Sequence, residues 1–422
     1  MADRPNELTW RQMGMRDPGR SRFTERIPFV EGLRGLAALY VVLGHLCSMS
    51  DPSNLAGKAS TAPIWFQRLT APFAFGHLAV AAFIVISGFC LQLSLFGGGD
   101  GRIRSAKHFF SRRARRILPA YYGCLALSLA VAVYVTPKLH GMPFEMYGPV
   151  TRENVLAHLL LIHNFSPAWM YKLNGVLWSI SIEAQLYILF PLIVAGFFRI
   201  GRWWTLALAS IAAIVVLFTV PDALKLYSWF LPLFALGMAS AHLIYRPHPR
   251  IGLRAGVAKL IAGVSTIFCL YGLVRGWLLP VTDALAGLAV ASLCYYGTVD
   301  RPTIAVRLLS ARPLVALGAF SYSLYLMHHP IQQVVYWLRP GSVVGEAAVF
   351  GYLMATLPII LFGAWLFSLV FERPFIGKKI RSDRRTEFVP VSLPLCVAGT
   401  SDTKPVARTV ERRSPGALVQ AT

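Results

Sequence analysis

FVEGLRGLAALYVVLGHLCS, residues 29 to 48, decides what kind of protein this is. The run is about the length that carries a helix across the roughly 30 Å hydrocarbon core of a bilayer. It nevertheless contains Arg34 and His45. At about 100° and about 1.5 Å per residue, that spacing places them on nearly one helix face, roughly 16 Å apart along the axis. An ionisable group inside a span is costly and marks a functional position by default. Each residue also has a bland reading. A neutral histidine can bridge two helices, and an arginine near a helix end can extend its head to the interface.

The rest of the chain puts that run in context. Of 422 residues, 55% are hydrophobic and 14% charged, which excludes an ordinary soluble protein and implies an all-α, polytopic membrane protein. Apolar runs at 29–47, 72–96, 117–136, 176–198, 203–220, 226–245, 257–275, 278–297, 313–338 and 347–371 give about ten transmembrane helices. NVLAHLLLIHNF, 154–165, is too short to span and reads as an interfacial or re-entrant segment. If the N-terminus is cytoplasmic, 32 of the 41 Lys and Arg fall on the cytoplasmic side and eight outside. This is the positive-inside pattern, and it predicts that both termini are cytoplasmic. The net charge of +22 is therefore a topology signal whose default partner is anionic lipid, and it does not imply nucleic acid.

Three parts are expected: a polar cytoplasmic segment at 1–28, a membrane domain at 29–375, and a mostly disordered cytoplasmic tail at 376–422. Nothing in the first 28 residues reads as a cleavable signal peptide, so the first span should direct insertion. The six cysteines show no CxxC pair or zinc-like spacing; free thiols and no metal site are expected.

Four further stretches could carry chemistry. In SAKHFFSRRARRILPAYY, Arg113 and Arg116 share a helix face, and two guanidinium forks suit a diphosphate, although arginines before an apolar run also fix topology. In ISGF, Ser87 and Gly88 permit close helix packing. WSISIEAQLYILFP carries Glu183, an acid inside a span, with Trp178, Ser181 and Tyr187 around it; its bland reading is an ion pair within the bundle. SYSLYLMHHPI offers Tyr322, Tyr325 and His328 as a polar seam at helical spacing, where packing or interfacial roles are the commoner use.

Taken together, these stretches resemble the acyltransferase-3 family of integral membrane acyltransferases. FVEGLRGLAALYVVLGH is similar to its first-helix signature, an arginine, ten residues and a histidine taken as catalytic, here Arg34 and His45. ISGF, the Arg113 to Arg116 element followed by Pro119, the Glu183 segment and the late SYSLYLMHHPI resemble its other signatures, in the same order, from about Arg26 to Pro374. Glu31 stands where members often have aspartate, and His329 where tryptophan is common. Some members carry a fused extracytoplasmic hydrolase-like domain, and none is expected here.

The resemblance implies a membrane O-acetyltransferase of the bacterial inner membrane. It would move an acyl group, usually acetyl, from cytoplasmic acyl-CoA to a hydroxyl of an extracytoplasmic or lipid-linked carbohydrate. On that reading Arg34, Arg113 and Arg116 hold the acyl-CoA, His45 is general base, and Glu183 orients the imidazole or the acceptor. Ser87, Trp178, Ser181, Tyr187, Tyr322, Tyr325 and His328 are substrate or structural groups of the polar seam. The alternatives are a transporter or flippase, with Arg, His and Glu forming a substrate or proton pathway, and a non-catalytic membrane scaffold.

Overall fold

Pro28 opens α1 (Pro28–Ser50) at a first-turn position, where no intrahelical bond needs its missing N–H. The computed structural model describes residues 27–53, 58–245 and 251–375, and among these there are helices and no strand. The expectations for residues 1–26 and 376–422 lie outside the described residues. After α1 come a short α2 (Ile64–Thr70) and α3 (Gly76–Gly97). Ser105 caps α4 (Ala106–Tyr134) by accepting from the His108 N–H at 3.2 Å. The arginine cluster is thus the opening turns of the same helix as the apolar run after it.

A long connector follows, holding α5 (Arg152–Leu159), started by a Thr151/Asn154 capping box, and α6 (Pro167–Met170). The 154–165 segment is therefore short, as its length predicts. Then come α7 (Trp178–Arg199), α8 (Arg202–Thr219), α9 (Phe230–Tyr245), α10 (Ile251–Val274) and α11 (Leu279–Val299). The chain continues with α12 (Ile304–Leu309), α13 (Arg312–Gly318), α14 (Ser321–Trp337), α15 (Glu346–Ala355) and α16 (Leu357–Phe371).

Nine of the described helical stretches are long and apolar enough to cross a membrane, and the protein is an all-α integral membrane protein. The expected run at 313–338 is broken into α13 and the seventeen-residue α14, around Ala319 and Phe320. The run at 347–371 breaks after Ala355, where Pro358 both lacks an N–H and disfavours helical geometry in Leu357 before it. Apolar length alone does not reveal either break.

Glycines set the closest helix contacts. A Cβ on Gly32 would fall 1.6 Å from the Leu309 carbonyl oxygen, so the α1 backbone rests directly on α12. Gly88 of α3 and Gly237 of α9 face each other's helices in the same way, 2.1 Å from Phe234 O and 2.0 Å from Val85 O by the same measure. α8 and α10 expose apolar side chains such as Ile211, Phe218, Leu260 and Ile267, as lipid-facing helices do.

α14 packs against α1, α4 and α16 and holds the most polar segment of the interior. Pro330 lies within it, so the Leu326 carbonyl loses its helical donor. Cys124 Sγ at 3.2 Å and Asn174 Nδ2 at 3.3 Å take its place. The same Asn174 amide donates to Ser128 at 3.0 Å. One buried amide therefore ties the connector before α7 to both α4 and α14.

Candidate active site

Among the described residues, two cavities in the bundle lie toward opposite ends and share Val80 and Tyr325. The smaller, about 100 Å³, is lined by Arg34, Arg113, Arg116, Ser87, Glu183 and Tyr187 among others. The larger, about 340 Å³, is lined by His45, His77 and the aromatic rings of Tyr147, Tyr171, Trp178 and Tyr227.

At the arginine end, α4 presents Arg113 and Arg116 on one face, as the three-residue spacing predicts, and α1 adds Arg34 from one side. Arg34 lies 4.0 Å from Glu31, a loose pairing that leaves much of its hydrogen-bonding capacity unused. Glu183 and Tyr187 are one turn apart on α7, and Ser87 reaches them from α3. Ser87 Oγ donates to Glu183 Oε1 at 3.1 Å and lies 2.8 Å from the Tyr187 hydroxyl, which itself bonds Glu183. The tight packing expected of the Ser-Gly pair belongs to Gly88, while Ser87 turns into the cavity. Tyr322 also lines this cavity, its hydroxyl 3.3 Å from Ile117 O. Arg113 Nε and Ser321 Oγ are buried without a hydrogen-bond partner among the described residues. Three guanidinium groups, one of them with an unsatisfied Nε, and the unpartnered Ser321 hydroxyl beside a single carboxylate make a site suited to an anion rich in oxygen acceptors.

At the other end, His45 Nδ1 lies 2.9 Å from the Val41 carbonyl and 3.4 Å from His328 Nε2. His328 Nδ1 is 3.1 Å from Leu324 O, so that nitrogen carries the proton and Nε2 is left as an acceptor. Both neighbours of His45 Nδ1 are then acceptors. This assigns the proton of a neutral His45 to Nδ1 and leaves the Nε2 lone pair free, the form a general base needs.

His329 packs edge-on against His45 and Tyr147, with ring centroids 5.4 and 4.5 Å away, and its Nδ1 is held by Gln333 at 3.1 Å. Burial pushes the Tyr147 and Tyr171 phenols above their ordinary range, so these connector residues give the cavity neutral walls.

Tyr325 stands between the cavities. Its hydroxyl is 2.7 Å from Ser179 Oγ and 3.2 Å from Val176 O, and its ring meets Phe83 and His328 edge-on. Trp178 forms a wall of the histidine cavity, stacked on Tyr227 at 4.2 Å. Ser181 lines neither cavity; its hydroxyl lies 2.9 Å from Asn164 Oδ1 and 2.8 Å from Trp178 O, its one proton serving these two acceptors, and so secures the connector.

The structure therefore separates two residues that the sequence reading couples. Glu183 bonds Ser87 and Tyr187 in one cavity, and no hydrogen bond joins it to His45, whose ring is held by His328 in the other. Both are costly polar residues in spans, and helical spacing says nothing about which neighbour each will meet. Asp283, an acid within the 278–297 run, carries the same signal that marks Glu183. His77 lies inside the 72–96 run and carries the same signal, near the end of the span. The five described cysteines are free thiols, and no group of three His, Cys, Asp or Glu among the described residues is placed to hold a metal.

Comparison with known proteins adds relatives. An acyltransferase domain family model, acyltransferase-3, matches residues 27–372. The chain is 24% identical over 372 residues to the O-acetyltransferase OatA of Staphylococcus aureus (strain NCTC 8325), covering 78% of this chain and 54% of that protein. It is also 24% identical over 408 residues to a Bacillus subtilis (strain 168) protein named "Putative peptidoglycan O-acetyltransferase YrhL", covering 86% and 57%. The chain thus spans little more than half the length of these relatives. No solved structure matches.

Proposed function

The chain belongs to the acyltransferase-3 family, and from that premise we propose that it is a membrane O-acetyltransferase, with the acyl-CoA donor held at the arginine cavity and a carbohydrate hydroxyl acceptor at the histidine cavity. The observation that carries this reading is the meeting of two chemically opposite cavities at one tyrosine. The positive-inside count supports an orientation with the arginines toward the cytoplasm and His45 toward the outside, and the resemblance supports the bacterial inner membrane as its location.

Arg34, Arg113 and Arg116 would hold the CoA phosphates. The narrow pantetheine arm would extend past Tyr325, bringing the thioester to the edge of the cavity that His45 lines. Nε2 of His45 takes the proton of the acceptor hydroxyl as its oxygen attacks the thioester carbonyl carbon. The tetrahedral intermediate collapses with cleavage of the C–S bond, and the imidazolium returns the proton to the departing thiolate. His328 keeps the His45 ring in the productive tautomer. Glu183, with Tyr187, orients Ser87 at the edge of the donor site.

The test combines two measurements. Acetyl-CoA should raise the thermal midpoint of the purified protein, and surface glycans from cells lacking the gene should lose acetyl esters by mass spectrometry. Opposed cavities with a shared septum also suit a transporter. Passage of a substrate across vesicles without release of free CoA thiol would favour that second reading and sink the first.

A further inference from the structure

We propose that His77 and Asp283 form an acceptor-binding site in the histidine cavity, in which His77 hydrogen-bonds a hydroxyl of a neutral carbohydrate and Asp283 positions its ring. This rests on the transferase reading above. Asp283 is fully buried in the first turns of α11, and both of its oxygens are used: His77 Nδ1 lies 2.7 Å from Oδ1, and Trp229 Nε1 donates to Oδ2 at 2.9 Å. A carboxylate on one ring nitrogen fixes the imidazole and leaves the other nitrogen for a ligand. The His77 side chain is 14% exposed, and it lines the cavity while Asp283 stays behind it. Of the two imidazoles there, only His77 has a carboxylate partner; His45 rests on a carbonyl and a second histidine.

The walls indicate the ligand class. No Lys, Arg, Asp or Glu lines the cavity, so beyond its two histidines it offers nothing to pair with a phosphate or carboxylate. It offers aromatic faces and a few polar groups, which suits a ligand with apolar faces and hydroxyl edges, such as a pyranose. Trp229 joins the dyad to those walls, lying 5.0 Å from Tyr227, which stacks on Trp178. A bond that served only to tie α3 to α11 would not require the histidine to face the cavity.

The experiment uses the deletion strain complemented with wild type, His77→Gln, Asp283→Asn and the double variant. It measures acetyl esters on surface glycans and the acetyl-CoA-dependent midpoint shift of each purified protein. His77→Gln should lower the esters at least tenfold and Asp283→Asn by less, while both retain the wild-type acetyl-CoA shift. The double variant should fall no further than His77→Gln, because Asp283 acts through His77. Wild-type ester levels in His77→Gln, loss of the acetyl-CoA shift along with the esters, or additive effects in the double variant would each overturn the proposal.

Should the variants fail to fold, wild-type membranes serve instead. An N-acetylglucosamine oligosaccharide, but not acetyl-CoA, should lower labelling of His77 by diethyl pyrocarbonate at least threefold; unchanged labelling overturns the proposal. Absence of both an acetyl-CoA shift and a gene-dependent ester signal would overturn the transferase reading, and this inference with it.

Discussion

The arginine and histidine cavities differ in how they treat charge. At one end three guanidinium groups face one carboxylate that is already bonded to a serine and a tyrosine; at the other, imidazoles and aromatic rings line a space more than three times larger with no formal charge on its walls beyond the histidines. The first resembles an anion site, where affinity comes from ionic hydrogen bonds. The second resembles a site for a neutral ligand, where a free lone pair can move a proton without a neighbouring charge holding it. Tyr325 lets each cavity keep its own chemistry while only a narrow chain need pass between them. If that division is right, substitutions on the two sides should fail in different ways.

The largest effect belongs to His45→Ala. Losing a general base should lower kcat by about 10²- to 10⁴-fold, while the acetyl-CoA-dependent rise in thermal midpoint remains. Rate assays beside thermal melts would show this, and loss of acetyl-CoA binding in the same variant would erase the division. Changing Arg113 and Arg116 together to Ala should do the reverse. Ionic hydrogen bonds contribute about 1.5–3 kcal/mol each, so losing one at each arginine should weaken acetyl-CoA binding by roughly 10²-fold or more while turnover at saturating donor is kept. An unchanged apparent KM for acetyl-CoA would count against the donor site.

His328→Asn sharpens the comparison within one cavity. It removes the acceptor that helps hold His45 Nδ1 but leaves the Val41 carbonyl in place. A loss of roughly tenfold in kcat, with donor KM unmoved, is expected of a residue that orients a base without replacing it. A loss as large as that of His45→Ala would instead make His328 a reacting group.

How much of this the sequence contained depends on the kind of contact. Arg113 and Arg116 are neighbours through helix periodicity, so their shared face is readable from spacing, and apolar run lengths place most of the spans. The His45 to His328 contact joins residues 283 positions apart on α1 and α14, and the Asp283 to His77 bond joins residues 206 apart. Nothing local encodes such pairings. The sequence reading has Glu183 orient the His45 imidazole or the acceptor, and helical spacing does not show that its hydrogen bonds run to Ser87 and Tyr187. The carbonyl freed by Pro330 illustrates the remainder: the proline predicts an unsatisfied Leu326 oxygen, yet only the fold shows Asn174 filling the need.

The smallest predicted effect separates the two ends by pH. His158 and His163 lie in the connector next to the histidine end, fully buried, with their rings stacked at 3.9 Å. Burial lowers His158 to about 4, and burial together with the neighbouring His158 lowers His163 to about 3, against an ordinary value near 6.5. Folding therefore requires both rings neutral. The stabilisation is complete above about pH 6.5 and is lost progressively as pH falls from there toward about 3, because the unfolded segment binds protons that the folded one refuses. Hydrogen exchange in residues 152–165 should accelerate over that interval, while residues 106–120 at the arginine end keep their protection. Equal acceleration at both ends would mean that acid loosens the bundle as a whole. Acceleration confined to the connector, and reduced in His163→Gln, would place the pH sensitivity on the acceptor side alone.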